Sequence, residues 1–243
     1  LKDLGFKISA HWMPGLPLTS REMDVEGFKM LFSSFDYRPD MLKIYPCMVA
    51  PGTKLYVDYK KGLFTPLSTE EAASLIAELK PFIPRYCRVQ RIQRDVPTKQ
   101  WSAGVGLTNL RQYIHEQYKP HCDCISCREP RGQTVSADIS LEVFSYEASG
   151  GTEFFISLND SKNDFILGFC RLRFPSQSLR AEITSRSALI RELHVYGISA
   201  GLHEEGNVQH KGFGKRLMLE AEKIATEHAK TKMVVISGVG VRE

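Results

Sequence analysis

Apolar residues in the first half of the chain alternate between strand-like runs and stretches with helical periodicity. Strands are predicted near residues 6–11, 41–45 and 86–93, and proline closes the first two of them. Helices are predicted at residues 20–33 and 68–80, because each starts with a hydroxyl residue that can cap it and continues with apolar positions at helical spacing. This order predicts parallel βα units. Because a parallel sheet needs both faces covered and this half supplies only three strands, we expect it to be part of a larger barrel.

The pattern changes in the second half of the chain. Strands are predicted at residues 153–158 and 165–173, paired antiparallel across a polar turn, and at residues 188–196. An amphipathic helix and a fourth strand, at residues 233–236, complete this half. Between the two patterns, residues 116–135 are polar and turn-rich, which is typical of a linker.

Composition places the chain among ordinary globular proteins. Of its 243 residues, 42% are hydrophobic and 25% are charged, a balance that excludes an intrinsically disordered chain. No apolar run approaches the roughly 18 residues that span a bilayer. There is also no basic and apolar leader after Leu1, so we expect no signal peptide, no membrane association and a cytoplasmic location.

Positive charge is concentrated in one part of the sequence. Residues 85–131 contain nine Lys or Arg and four Asp or Glu, within a chain of net charge +4. Such a stretch can neutralise the phosphates of a polyanion such as tRNA, and a solvated basic face is the alternative. Because residues three apart on a strand alternate sides, we expect Arg88, Arg91 and Arg94 not to share one face. Only a subset of these arginines would then contact phosphate.

A glycine turn precedes the predicted amphipathic helix, with the pattern Gln209-x-x-Gly212-x-Gly214. Glycines allow close approach of the backbone to a ligand, and the N–H groups at a helix start bind a pyrophosphate. The spacing differs from that of Walker and Rossmann loops. It resembles the acetyl-CoA pyrophosphate loop of the GNAT acetyltransferases. A glycine-rich helix entry without a ligand is the alternative.

The strand Arg191–Gly197 lies just before this turn. In the GNAT fold, the matching strand pairs through its backbone with the pantetheine arm of acetyl-CoA. Glu192 and His194 are two positions apart and share one face of the strand, where either could serve as an acid or a base. The alternatives are a salt bridge to an arginine for Glu192 and a satisfied core histidine for His194.

Three of the six cysteines lie within six residues, at Cys122, Cys124 and Cys127. Three thiolates so close together can bind one tetrahedral zinc ion, with a fourth ligand from elsewhere, and three thiols without metal are the alternative. His121 is poorly placed as a ligand next to Cys122. Cys47 and Cys87 are expected to be small apolar fillers.

Seven sequence blocks, in their order along the chain, resemble the catalytic subunits of Elongator in their archaeal or bacterial single-chain form. They are Met13–Pro17, Pro39–Pro46, Val89–Pro97, Asn109–Gln112, Arg191–Gly197, Gln209–Gly214 and Ser237–Glu243. The resemblance covers nearly the whole chain and implies an α/β architecture of three parts. These are the C-terminal part of a radical S-adenosylmethionine (SAM) barrel of partial TIM type at residues 1–115, a zinc-binding linker at 116–135, and a C-terminally incomplete GNAT-like acetyltransferase domain at 136–243.

The resemblance implies a tRNA-modifying acyltransferase. In this family, an acetyl group from acetyl-CoA becomes a carboxymethyl precursor on carbon 5 of the wobble uridine in the anticodon loop. A 5′-deoxyadenosyl radical abstracts hydrogen from the acetyl methyl group, and the carbon radical then adds to the base. The cofactor supplies this step, which acid–base side chains cannot perform, while the protein positions the reactants.

The family's functional residues carry over to matching positions. Acetyl-CoA binding is implied for Glu192, Leu193, His194, Val195, Gln209, Lys211, Gly212, Phe213, Gly214 and Lys215. The metal loop of the prokaryotic members matches Cys122, Cys124 and Cys127. Contact with tRNA or a cofactor is implied for Lys43 and the stretch 88–94. Together with the local excess of positive charge, this predicts tRNA contact for Lys43, Arg85, Arg88, Arg91, Arg94 and Lys99.

Two parts of the family pattern do not occur in this sequence. They are the N-terminal cysteine motif that holds a 4Fe–4S cluster, and a Tyr-Tyr pair that follows the block ending at Glu243. The cluster and SAM are therefore expected in a complete protein, and the activity of the chain as given stays open. A GNAT-type protein lysine acetyltransferase and an inactive tRNA-binding fragment are the alternative functions. Other Elongator-like subunits or a second copy of the chain are the further partners considered.

Overall fold

The computed structural model describes residues 1–93, 97–196 and 212–238, and it divides the chain into two compact units. The first comprises Ser9–Ser34 and Arg38–Ser126. The second comprises Leu1–Ile8, Phe35–Tyr37 and the chain from Cys127 onward. Each unit has its own sheet with helices, so the fold is mixed α/β, as predicted. No helix in the described part of the chain is long and apolar enough to cross a membrane.

The first unit is built on a parallel sheet of three strands. Its strands, in spatial order, are β1 (Ser9–Trp12), β2 (Met41–Ile44) and β3 (Arg88–Ile92). The helices of this unit are α1 (Arg21–Ser33), α2 (Lys54–Lys60), α3 (Thr69–Leu79) and α4 (Leu110–Tyr118). The predicted parallel βα arrangement is confirmed.

Capping explains where the two predicted helices begin. The Ser20 hydroxyl accepts the Met23 N–H at 3.3 Å at the start of α1. At the start of α3, Ser68 and Glu71 form a reciprocal capping box. The buried face of α3 then consists of Ala72, Ala73, Leu75, Ile76 and Leu79.

The prediction for the first strand is wrong at its start. A strand was expected from Phe6, but β1 begins at Ser9. The preceding residues belong to the second unit, where the Phe6 carbonyl accepts a hydrogen bond from Arg191 and Lys7 pairs with Glu192. A strand-like sequence is thus used there as a covering segment.

The second unit contains a five-stranded sheet in sequential order. Its strands are β4 (Ile139–Ala148), β5 (Gly151–Asp160), β6 (Phe165–Phe174), β7 (Ser187–Val195) and β8 (Lys232–Val235). The first four strands are antiparallel, whereas β7 and β8 are parallel. The helix α5 (Phe213–Glu227) packs Leu217, Ala221 and Ile224 against one face of this sheet.

The strand β4 was not predicted. It pairs with β5 through a two-residue turn at Ser149 and Gly150, both of which have positive φ, as a type I′ hairpin requires. Its sequence contains two apolar-polar alternating runs, at residues 139–143 and 144–148, but their phase changes between Val143 and Phe144, where the middle of this edge strand is exposed.

Candidate functional site

The predicted glycine turn leads directly into α5. Gly212 is the residue before the helix and has a φ of 73°, a left-handed conformation that favours glycine, and no side chain caps the helix there. The helical ladder begins with the Arg216 N–H, which donates to the Gly212 carbonyl at 2.9 Å. The N–H groups of Phe213, Gly214 and Lys215 therefore precede the ladder, and a helix start of this kind suits an anion.

Two other residues predicted for this loop, Gln209 and Lys211, lie outside the described residues. Among the rest, Phe213 is buried in the core beneath the helix, whereas Lys215 is exposed. Phe213 thus anchors the helix start, and Lys215 adds positive charge at the surface.

The strand β7 extends beyond its pairing with β8. It pairs with β6 as far as Val195, but within the described residues β8 pairs only with Ser187–Ile190. The register with β6 skips Arg191, since Leu172 pairs with Ile190 and Arg171 with Glu192. This bulge separates the half of β7 that lies between two strands from the half next to the start of α5.

The predicted acetyl-CoA residues of β7 divide between its two faces. A Cβ placed on Gly214 would lie 3.9 Å from the Val195 Cγ2 atom and 4.0 Å from the Leu193 Cδ2 atom. Leu193 and Val195 therefore lie beside the start of α5. Glu192 and His194 lie on the opposite face, with Arg171 and Phe169 of β6.

Glu192 is held in ion pairs. Its carboxylate accepts the Arg171 Nε–H at 2.9 Å and a Lys7 ammonium N–H at 3.3 Å. Burial alone would raise the pKa of Glu192, but Arg171 and Lys7 outweigh it and hold the pKa below its usual value. A carboxylate so stabilised in its charged form is a weak proton acceptor, which favours the salt-bridge alternative.

His194 belongs to a row of aromatic rings. Its ring stacks on Phe169 at 5.8 Å and meets the Tyr196 ring edge-on at 4.4 Å. Phe169 in turn packs against Phe155 at 5.2 Å. His194 and Tyr196 are both half-buried, so they lie at the accessible end of this row.

A buried ionic network lies further along the same face of the sheet. Glu153 of β5 accepts hydrogen bonds from Arg173 at 2.9 Å and from Arg191 at 2.8 Å. Arg173 also pairs with Asp3, and Lys2 lies 3.9 Å from Glu153. All five side chains are nearly inaccessible to solvent. The segment Leu1–Ile8 thus supplies partners without which these buried charges would be strongly destabilising.

The three clustered cysteines converge as predicted. The Sγ atoms of Cys122, Cys124 and Cys127 lie within 4.8 Å of one another. No other group of three or more His, Cys, Asp or Glu side chains in the described part of the chain could hold a metal ion. His121 is exposed, and its Nε2 atom lies 3.1 Å from the Asp123 Oδ1 atom.

The other cysteines are packed as apolar side chains. Cys47, Cys87 and Cys170 are buried, and burial raises the pKa of the Cys170 thiol to about 12. A thiol that stays protonated neither binds metal nor reacts readily.

The predicted tRNA-contacting residues lie in the first unit. Lys43 is half-buried on β2, Arg91 is exposed on β3, Arg85 precedes β3, and Lys99 is exposed beyond it. Arg94 lies outside the described residues.

The expectation that Arg88 and Arg91 occupy different faces is wrong. The register pairs Arg88 with Met41 and Arg91 with Lys43, so a bulge at Gln90 returns both arginines to one face. His11 of β1 pairs in register with Lys43 and extends this row to a third strand. No sequence signal marks this bulge, because Gln90 is an ordinary strand residue.

Comparison with known proteins gives consistent matches. A family model, the Radical SAM C-terminal domain, matches residues 39–119. The chain is 44% identical to a tRNA uridine(34) acetyltransferase of Methanocaldococcus infernus over 100% of its own length and 48% of the relative. It is 40% identical to Elongator complex protein 3 of Saccharomyces cerevisiae over 99% of its own length and 46% of the relative.

A solved structure is similar over the same span. The archaeal Elp3 of Methanocaldococcus infernus, with an N-terminal deletion, superposes with a TM-score of 0.91 at 43% identity. The match covers 99% of this chain and 60% of that one. The chain therefore spans about half the length of the relatives it matches.

Proposed function

We propose, from the homology of this chain over its whole length to the tRNA uridine(34) acetyltransferases and Elongator complex protein 3, that it is part of an enzyme that modifies the wobble uridine of tRNA. In this proposal the second unit is the GNAT-like acetyltransferase, and the first is the C-terminal part of a radical SAM domain. The reaction proposed is the transfer of an acetyl-derived carboxymethyl group to carbon 5 of uridine in the cytoplasm.

The start of α5 is the observation that supports acetyl-CoA as the acyl donor. The N–H groups of Phe213, Gly214 and Lys215 would bind the pyrophosphate, and Lys215 would add a charge. The backbone of β7 beyond Ile190 would pair with the pantetheine arm as an added strand. Leu193 and Val195, on the α5 side, would contact the apolar part of the arm.

Orientation and exclusion of water are the tasks that remain for side chains near the thioester. Glu192 is a charged anchor in its ion pairs, and His194 lies at the accessible end of an aromatic row. When bound elsewhere in a complete enzyme, an iron–sulfur cluster with SAM would supply radical chemistry at the acetyl methyl group, which acid–base side chains cannot provide.

The cysteine trio would hold a structural zinc ion. Three thiolate donors within 4.8 Å fit the soft ligands and short bonds that tetrahedral zinc prefers. The segment 116–135 has few apolar residues, so metal binding would supply much of the free energy that orders it.

The basic face of the first unit would contact the anticodon loop. Lys43, Arg88 and Arg91 lie side by side on the parallel sheet, where their charges add. Phosphate contacts of this kind position a nucleic acid, while the target base leaves its stack to reach the reacting group.

Acetyl-CoA hydrolysis by the full-length protein tests the function. Stimulation by tRNA carrying a wobble uridine is the expected result, because the bound base would complete the site. Stimulation only by a basic peptide would favour a protein lysine acetyltransferase instead. Binding of tRNA without any hydrolysis would reduce the proposal to a tRNA-binding role.

A further inference from the structure

Arg171 of β6 is a fully buried arginine that the proposed reaction does not use. Only 1% of it is accessible, and its guanidinium carbon lies 5.2 Å from the ring centres of both Phe155 and Phe169. Two aromatic faces therefore hold the plane of the guanidinium group. Its Nε–H donates to the Glu192 carboxylate at 2.9 Å.

Glu192, the partner of Arg171, lies next to the bulge in β7. Glu192 directly follows the bulge residue Arg191, where the register with β6 shifts by one residue. Beyond Ile190, pairing with β8 no longer supports the strand within the described residues. Beyond the bulge, pairing with β6 and the contacts of its side chains therefore set the register of β7.

A slip by one residue at this point would be costly for ligand binding. It would place Leu193 opposite Arg171 and turn Leu193 and Val195 away from the start of α5, because side chains alternate along a strand. A charge fixed between two rings permits only Glu192 at this position, and a buried ion pair is well suited to setting register.

We propose that Arg171 is a positioning residue for acyl-coenzyme A: by binding Glu192, it fixes the register of the half of β7 that pairs with the pantetheine arm. This inference rests on the acetyl-CoA site of the proposed function. It predicts that Arg171 affects the pantetheine half of the ligand and not the nucleotide half, which would contact the start of α5.

Calorimetry on the full-length protein can separate the two halves of the ligand. Coenzyme A contains the pantetheine arm, whereas 3′-phosphoadenosine 5′-diphosphate contains only the nucleotide and pyrophosphate. In Arg171→Met, we expect coenzyme A to bind about tenfold more weakly, as loss of one charged hydrogen bond would cause. The affinity for the nucleotide half should stay within about twofold of the wild type.

Arg173→Met is the matched control. Arg173 is an equally buried and ion-paired arginine two residues along the same strand, but it binds Asp3 and Glu153 instead of Glu192. This variant should lose stability without changing the ratio of the two affinities. If the ratio of coenzyme A affinity to nucleotide affinity falls equally in both arginine variants, the inference is wrong, because general destabilisation would then explain the effect.

The variant Arg171→Met/Glu192→Met covers the case in which the single variant does not fold. Removing both charges restores stability when a buried pair is replaced by apolar residues of similar size. We expect this variant to fold and still to bind coenzyme A weakly relative to the nucleotide half. Wild-type affinity for coenzyme A in this variant would reject the positioning role.

The proposed acetyl-CoA site can fail separately. If it is wrong, the wild-type protein will not bind coenzyme A, or Gly212→Ala and Gly214→Ala will leave its affinity unchanged. If only the present inference is wrong, wild-type binding and the effects of both glycine variants will remain.

Discussion

Gly168 of β6 lies where a side chain would crowd both β7 and α5. A Cβ at this position would lie 3.0 Å from the His194 carbonyl oxygen and 3.3 Å from atoms of Leu217 and Val195. The backbone oxygen cannot rotate away as a flexible side chain could. The absence of a side chain at Gly168 therefore permits the close approach of α5 to the end of β7.

Gly168→Ala is expected to separate these two elements. Overpacking of this kind destabilises by about 1–3 kcal/mol, and the shift should also weaken coenzyme A binding. Thermal unfolding and calorimetry measure the two effects. Gly238→Ala is the control, because a Cβ there would meet nothing within 4 Å. Equal unfolding temperatures for both variants would contradict the steric role of Gly168.

Asp160, at the end of β5, is a buried acceptor for several donors. Burial alone would raise its pKa, but hydrogen bonds from Ser136 and Asn163 outweigh this and hold the pKa of Asp160 well below its usual value of 3.8. The unfolded state therefore binds the proton more tightly than the folded state.

Asp160 should make stability depend on pH at the acidic end. Its contribution is fully present above pH 3.8 and is lost as the pH falls towards the folded pKa. Denaturant unfolding of the wild type and of Asp160→Asn at a series of pH values checks this. The variant should be less stable near neutral pH and should lose less stability on acidification. Parallel curves would show that Asp160 does not titrate differently on folding.

At the scale of elements, a capped and buried helix should contribute more to stability than a capped and exposed one. The Ser68 cap starts α3, whose inner face is buried, whereas the Thr53 cap starts α2, none of whose residues is buried. Ser68→Ala is expected to cost about 1 kcal/mol in the denaturation free energy, and Thr53→Ala much less. Equal costs would mean that the caps act only locally.

The cysteine segment should bind one metal ion. Elemental analysis of the full-length protein is expected to find about one zinc per chain, and Cys124→Ser should lose it. Cys47→Ala is the control, since Cys47 is a buried thiol outside the cluster and should retain the zinc. Iron with acid-labile sulfide in place of zinc would contradict the assignment.

The contrast between α2 and α3 indicates which elements the sequence can predict. Capping residues followed by a periodic apolar face located α1 and α3, while α2 has no buried face and was not predicted. The edge strand β4 was missed although its two alternating runs, which change phase between Val143 and Phe144, and its Ser149-Gly150 turn were usable signals. Elements that bury little leave little pattern in the sequence.

At the site, too, only residues that form a local sequence pattern could be predicted. Local spacing located the glycine turn at Gly212–Gly214 and the cysteine trio, because each is a short run of sequence. Arg171 and Gly168 were not found, since their roles depend on residues about 20 or more positions away in the sequence. The two arginines within the apolar run of β6, Arg171 and Arg173, were the available clue.

At the scale of the molecule, the basic face of the first unit should control tRNA binding and its salt dependence. Reversing two exposed charges, Arg91→Glu with Lys99→Glu, is expected to weaken tRNA binding at low salt. Each lost phosphate contact should also lower the slope of log affinity against log salt by about one. Coenzyme A affinity should not change.

The matched control reverses Lys54 and Lys60, which are exposed on α2 of the same unit. It changes the net charge by the same amount outside the basic stretch. Filter binding over a range of salt concentrations compares the two double variants. If both lower the affinity and slope equally, only net charge matters, and the basic stretch at residues 85–131 is a solvated face.

The segment Leu1–Ile8 has a consequence for how the protein is made. Lys2 and Asp3 are synthesised before residues 9–126, yet their ionic partners on β5 and β6 follow more than 100 residues later. During translation residues 9–126 have all been synthesised while the second unit still lacks its sheet. Lys2 and Asp3 thus leave the ribosome before residues 9–126 but are buried after them, so a ribosome that stalls before β6 would expose them to proteases and chaperones.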